Sequence, residues 1–142
     1  MSKISVIIPV YNKGEQIRRA VNNLLNQTMK DLEIILVDDG STDESGYICD
    51  EYASKNSNVV IIHKLNSGPS SARNVGLDVA TSEYIAFLDA DDYFSEDTFE
   101  NIQRIIIEFK PDCICFGLQY IINNTVQGKQ IPNLPKNQKF KE

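Results

Sequence analysis

A chain of 142 residues, 42% hydrophobic and 24% charged, is long enough for one core and short for two, so a single globular domain is expected. Its net charge of −6 excludes an electrostatic grip on nucleic acid, and no stretch interleaves Lys or Arg with aromatics as a strand-binding groove requires. No apolar run approaches the ~20 residues of a spanning helix, no signal-peptide pattern opens the chain, and Cys49, Cys113 and Cys115 form no CxxC pair, so the sequence reads as cytoplasmic, with core thiols rather than disulfides or zinc ligands.

The first element is "ISVIIPVYN", residues 4–12, a near-continuous β-branched run suited to a strand buried on both faces, with Pro9 confining its end to an edge, bulge or turn. From Glu15 the period changes, and Ile17, Ala20, Val21, Leu24 and Leu25 recur at helical spacing. "LEIILVDDGS" (32–41) is a second apolar run ending in acids and glycine, "DESGYICDEYASK" (43–55) a helix, and "VVIIH" (59–63) a third strand. Gly68 and Pro69 break the chain before a helix over 70–79, and "YIAFLDADD" is a fourth strand with an acidic end. Ser95 is placed to cap a helix over 96–109 lined by Phe99, Ile102, Ile106 and Phe109, and "CICFGLQYII" (113–122) predicts a fifth strand. Residues 123–142, with Gly128, Pro132, Pro135 and four lysines, read as a loop or frayed tail.

Strands alternating with helices predict a three-layer α/β/α sandwich on a mainly parallel sheet. Ligands of such sheets bind beyond the carboxyl ends of the strands, where strand order reverses. The polar groups fall there: Tyr11 and Asn12, Asp38 and Asp39, Asn66 to Gly68, and Asp89 to Asp92. Two unit charges ~4 Å apart repel by roughly 4 kcal/mol at an effective dielectric near 20, so Asp89, Asp91 and Asp92 need solvent, a basic partner, helix NH groups or a bound cation.

Each candidate has an ordinary reading beside a functional one. Asp89-Ala90-Asp91-Asp92 is either a solvated strand-to-helix turn or a site for a hard divalent cation, which takes one or two carboxylates and completes its shell with substrate phosphates. In "DDGSTD" a turn at Gly40 and a cap at residues 41–43 explain all but the two adjacent acids, and a carboxylate accepting from a nucleobase NH or ribose hydroxyls explains those. Arg73 either neutralises the acidic rim or, with helix NH groups, holds a diphosphate or base carbonyl. Tyr11 is either a rim aromatic or a stacking platform for a base, worth ~1–3 kcal/mol in nucleic-acid sites. His63 reads as structural. No GxxxxGK[ST] supports a phosphate-loop ATPase, and a receiver domain would need its acid pair after the first strand.

With "VIIPVYN", "VDDGSTD", "NSGPSSARNVG" and "FLDADD" in this order on strands one to four, residues 3–120 resemble the family 2 glycosyltransferases of GT-A fold. The resemblance implies transfer of a sugar from a nucleotide-sugar donor, usually a UDP-sugar, with inversion and a Mn²⁺ or Mg²⁺ ion. It further implies a donor site of Pro9, Tyr11, Asp38, Asp39, Asn66, Gly68, Arg73, Asp89 and Ala90, in which Tyr11 packs on uracil, Asp39 bonds the base and Asp89 meets the ribose, with Asp91 as metal ligand. The family's general base and acceptor half lie downstream of the Asp-x-Asp motif, and residues 113–141 hold no carboxylate, so residues 1–122 read as the donor-binding part of a truncated catalytic domain. The implied acceptor is a glycan or lipid-linked molecule, compatible with peripheral attachment of a full-length enzyme to the inner membrane face. The alternative is a non-catalytic nucleotide-binding or interaction module of the same fold.

Overall fold

The two most apolar stretches of the chain become its two central strands. In the computed structural model, which describes residues 4–123 and 125–130, β1 (Ile4–Val10) and β2 (Leu32–Asp38) pair in parallel along their whole length, from Ile4 opposite Leu32 to Val10 opposite Asp38. β3 (Val59–His63) adds to β2 and the short β4 (Tyr84–Phe87) adds to β1, giving a four-stranded parallel sheet in the order β3-β2-β1-β4. Strand order reverses beside β1, which places the switch point between the carboxyl ends of β1 and β4.

Helices α1 (Gln16–Leu25), α2 (Ser45–Lys55) and α3 (Pro69–Val79) connect these strands. Side chains alternate across a strand, so β1 and β2 have two apolar faces to cover. Ile7, Ile35 and Val37 on one face cluster with Ala72 and Val75 of α3, with Ile62 and Ile85 at the margins. On the other, α1 buries Ile17, Ala20, Val21 and Leu24, α2 buries Ile48 and Cys49, and the two helices pack on one another and on β2. The expected three layers are present. α3 comes so close to β1 that a Cβ on Gly76 would lie 2.4 Å from Ile7 Cγ2.

Pro9 lies in a strand paired on both sides, and its backbone direction explains how. The Val10 carbonyl accepts from Asp39 N on the β2 side and the Ile7 carbonyl from Leu88 N on the β4 side. Alternation therefore turns the Pro9 nitrogen toward β4, beyond the end of that strand's pairing at Phe87, where no ladder donor is needed.

Helix α4 (Thr98–Phe109) starts two residues later than expected, with Thr98 N donating to the Ser95 carbonyl, so Ser95 contributes its backbone there. Phe99 and Ile106 are buried as expected, whereas Phe109 is exposed. The described residues divide into two compact units, one ending at Phe109 and the other beginning at Lys110.

The second unit departs most from expectation. The fifth strand begins only at Leu118: β5 (Leu118–Ile122) pairs antiparallel with β6 (Thr125–Gln130), where a loop was expected from Thr125. Val126 and Lys129 alternate too weakly in hydropathy to signal a strand, and the hairpin is instead closed through the left-handed backbone of Asn123 (φ 50°). Cys113 and Cys115 are exposed rather than core thiols; of the three cysteines Cys49 alone is buried, and burial pushes its thiol up to about 12. The remaining tail residues lie outside the described ones. Among the described residues, no helix is long and apolar enough to cross a membrane.

Candidate functional site

The carboxyl ends of β1, β2 and β4 and the β3–α3 loop enclose a cleft of about 530 Å³ at the switch point. β1 delivers Pro9 and the half-exposed Tyr11, β2 delivers Asp39, the loop delivers Asn66 and Gly68, α3 delivers Arg73, and the turn after β4 delivers Asp89, Ala90 and Asp91. Four separate sequence blocks thus converge on one cavity.

Asp39 is 2% exposed and organises the loop around it. Its carboxylate accepts from Ser67 N at 3.0 Å, from Gly68 N at 2.8 Å and from Lys64 Nζ, while Asn66 Nδ2 donates to its backbone carbonyl at 3.0 Å. Burial alone would raise its pKa, but Lys64 and the two amides together hold the carboxylate below its usual range. The Ser67 and Gly68 amides ahead of α3 are therefore already engaged by Asp39. Gly40 supports this approach with φ +74°, and a Cβ there would lie 2.8 Å from Asn66 N.

Asp38 corrects the expectation that both acids face the rim. Adjacent strand residues point to opposite faces, and Asp38 turns away from the cleft toward α2. Its Oδ1 accepts from Ser41 N at 3.0 Å and its Oδ2 pairs with His63 Nδ1 at 2.9 Å.

Two basic side chains pair with two of the three acids of the turn. Arg73 Nη2 donates to Asp89 Oδ1 at 2.7 Å and Lys13 Nζ to Asp91 Oδ2 at 2.8 Å. The Lys13 bond, against a smaller opposing effect of burial, draws the Asp91 carboxyl below the usual range. Asp92 shifts upward through burial and the nearby charges of Asp91 and Asp89, so the cluster's repulsion falls on the member that has no close ion pair among the described residues. The turn is anchored from α1 and the residues that follow it: Asn23 exchanges two bonds of 2.9 Å with the Phe94 backbone, Gln27 Nε2 donates to the Ser95 carbonyl, and the Arg19 guanidinium lies 4.2 Å over the Tyr93 ring.

Lys13 and Lys64 were not among the predicted site residues. Lys13 follows Tyr11 and Asn12, which were placed at the site, whereas Lys64 follows His63, which was read as structural. Lys13 is fixed at its backbone, since Ser45 Oγ accepts from Lys13 N at 2.8 Å and from Gly14 N at 2.7 Å. Asn12, with φ 48°, holds the same loop by accepting from Thr42 N at 2.8 Å.

Among the described residues no cluster of three or more His, Cys, Asp or Glu side chains could cage a metal ion. The cleft offers instead the half-exposed Asp91 carboxylate, already holding the Lys13 ammonium, with Asp89 two residues away. This donor set fits a hard divalent cation that completes its shell with water and substrate phosphates.

The sequence model of the family described as "Glycosyl transferase family 2" matches residues 5–142. "Glycosyltransferase GlyA" of Streptococcus pneumoniae serotype 4 is 39% identical over 123 residues, which is 87% of this chain and 18% of that protein. Among solved structures, S. aureus TarS 1–349 in complex with UDP-GlcNAc superposes with a TM-score of 0.75 at 33% identity, over 87% of this chain and 36% of that one. The mannosyltransferase PcManGT of Pyrobaculum calidifontis, in complex with GDP-Man and Mn²⁺, gives a TM-score of 0.69 at 25% identity, over 76% of this chain and 33% of that one. The chain thus spans well under half the length of each of these proteins.

Proposed function

The chain belongs to glycosyl transferase family 2, and from that premise we propose that its cleft binds the nucleotide diphosphate of a sugar donor, a UDP-sugar, for inverting transfer to a glycan or lipid-linked acceptor. The observation that carries this reading is the convergence of Tyr11, Asp39, Arg73, Asp89 and Asp91 on one cavity at the switch point. Tyr11 offers a ring for a base to stack on. Asp39 stiffens the β3–α3 wall and presents its remaining acceptor capacity to a base NH. Arg73 brings a planar, permanently charged fork to the diphosphate, one turn into α3. Asp89 faces the ribose, and Pro9, Asn66, Gly68 and Ala90 shape the wall.

Asp91, with Asp89 beside it, would hold Mn²⁺ or Mg²⁺, whose Lewis acidity stabilises charge on a leaving diphosphate. PcManGT in complex with GDP-Man and Mn²⁺ supports the pairing of this fold with a metal and a nucleotide sugar, and TarS in complex with UDP-GlcNAc supports the uridine donor. No described residue is assigned as general base. The reading places the chain in the cytoplasm, with peripheral attachment of a whole enzyme to the inner membrane face when its acceptor is lipid-linked.

Calorimetric titration of UDP into the protein tests this, with Mn²⁺ and again with EDTA. Binding is expected with Mn²⁺, and Asp91→Ala should weaken it at least about tenfold, ~1.4 kcal/mol. UDP binding that survives both EDTA and Asp91→Ala would sink the metal-assisted reading.

A further inference from the structure

Two cations reach the acidic turn, and they differ in kind. Arg73 brings a rigid fork to Asp89, whereas Lys13 brings a compact ammonium on a flexible stem to Asp91, the carboxylate to which the metal is assigned. The Lys13–Asp91 pair joins residues 78 apart in the chain, linking the β1–α1 loop to the turn after β4, and both residues line the cleft. It is a bridge across the proposed site rather than a local surface pair.

We propose that Lys13 is the resting counter-ion of Asp91, displaced when a divalent cation enters with a diphosphate, and that its released ammonium then turns to the phosphate oxygens. This rests on the donor-site reading above. An ammonium and a divalent cation on one carboxylate repel, so metal binding at Asp91 weakens its bond to Lys13 and favours release of the ammonium. Lys13 is the one built to move. Its backbone is pinned through Ser45 Oγ at 2.8 Å, while its side chain shows no second hydrogen-bond acceptor beside Asp91 among the described contacts. Its side chain is 32% exposed, so the ammonium swings within a partly solvated cleft.

Charge balance favours the exchange. Lys13 and Arg73 offset Asp89 and Asp91 before binding. A doubly charged cation and the two negative charges of a nucleotide-sugar diphosphate enter as a neutral pair. With the cation on Asp91, the displaced ammonium keeps Asp92 as a nearby carboxylate and gains the phosphates as the larger concentration of negative charge, to which Lys brings three donors. Lys13 is thus a positioning residue that keeps the acidic turn folded when empty and a phosphate contact when filled.

The test is calorimetric titration of Mn²⁺ into the full chain, alone and with UDP, for wild type, Lys13→Met and Lys13→Arg. Lys13→Met should bind Mn²⁺ alone about two- to fivefold more tightly, the range of a partly exposed ion pair, and bind UDP at saturating Mn²⁺ about tenfold more weakly. Lys13→Arg, which keeps the charge, should leave Mn²⁺ binding at the wild-type level. A merely structural role would move both affinities in the same direction. Wild type binding Mn²⁺ with UDP, but Lys13→Met binding Mn²⁺ alone no more tightly, overturns the exchange and leaves the donor site standing. Wild type failing to bind Mn²⁺ even with UDP overturns both.

Discussion

His63 is held between two carboxylates, its Nδ1 2.9 Å from Asp38 and its Nε2 2.9 Å from Asp50. Ionised carboxylates only accept, so both ring nitrogens must donate, which is the imidazolium form. The bond to Asp50 and then that to Asp38 raise the His63 pKa above 6.5, against a smaller opposing effect of burial. A group with a raised folded pKa contributes stability that is fully present below its unfolded pKa and is lost as pH rises through the folded one. The melting temperature should therefore fall through this residue as pH rises above 6.5 and through the raised folded pKa, by a few degrees at most because the ring is nearly half exposed. His63→Gln should flatten that limb. Thermal unfolding at fixed ionic strength checks it, and superimposable wild-type and variant profiles would contradict the bridge. Asp39 acts on the opposite limb: its lowered pKa gives stability present above 3.8 and lost as pH falls through the folded value.

Gly76 shows how an element is placed by what it lacks. Glycine inside a helix costs about 1 kcal/mol relative to alanine, so propensity alone predicts that Gly76→Ala stabilises α3. The tight contact predicts the reverse, because Ile7 is β-branched, stiff at χ1 and fixed in the central strand. We expect a net loss of about 1–3 kcal/mol in denaturant unfolding, and an unchanged or higher midpoint would show that α3 can lift off β1 at little cost. The same contrast between local pattern and tertiary context decides what the sequence revealed. β1 and β2 were legible because strands buried on both faces are apolar throughout, and the four site blocks because each follows such a run. Asp38 was misplaced although strand alternation already separates it from Asp39, a signal overlooked because the acids were read as a pair. Lys13 and Lys64 were missed because their partners lie 78 and 25 residues away, and only the fold brings them together. The hairpin was missed because the weak alternation of residues 125–130 gives no strand pattern to read.

Every cleft residue lies in the unit ending at Phe109, so the stability linked to a bound donor belongs to that unit. A ligand at 100 times its dissociation constant stabilises the state it binds by about 2.7 kcal/mol. A unit of this length unfolds with an entropy that makes each kcal/mol worth about 4 °C. Saturating UDP with Mn²⁺ should therefore raise the melting midpoint by on the order of 10 °C. The amides of β1 and β2 are the sharper readout, because they lie at the centre of the sheet and exchange with solvent only when the unit opens as a whole. Their exchange should slow on ligand binding, while that of the amides of Leu118–Gln130 stays unchanged. Hydrogen-exchange measurements on the full chain, with and without UDP and Mn²⁺, decide the matter. Slowing confined to the loops at Asn66–Gly68 and Asp89–Asp91 would mean that the ligand orders the cleft rim without stabilising the sheet, and slowing of β5 and β6 would mean that the hairpin shares the donor's binding energy.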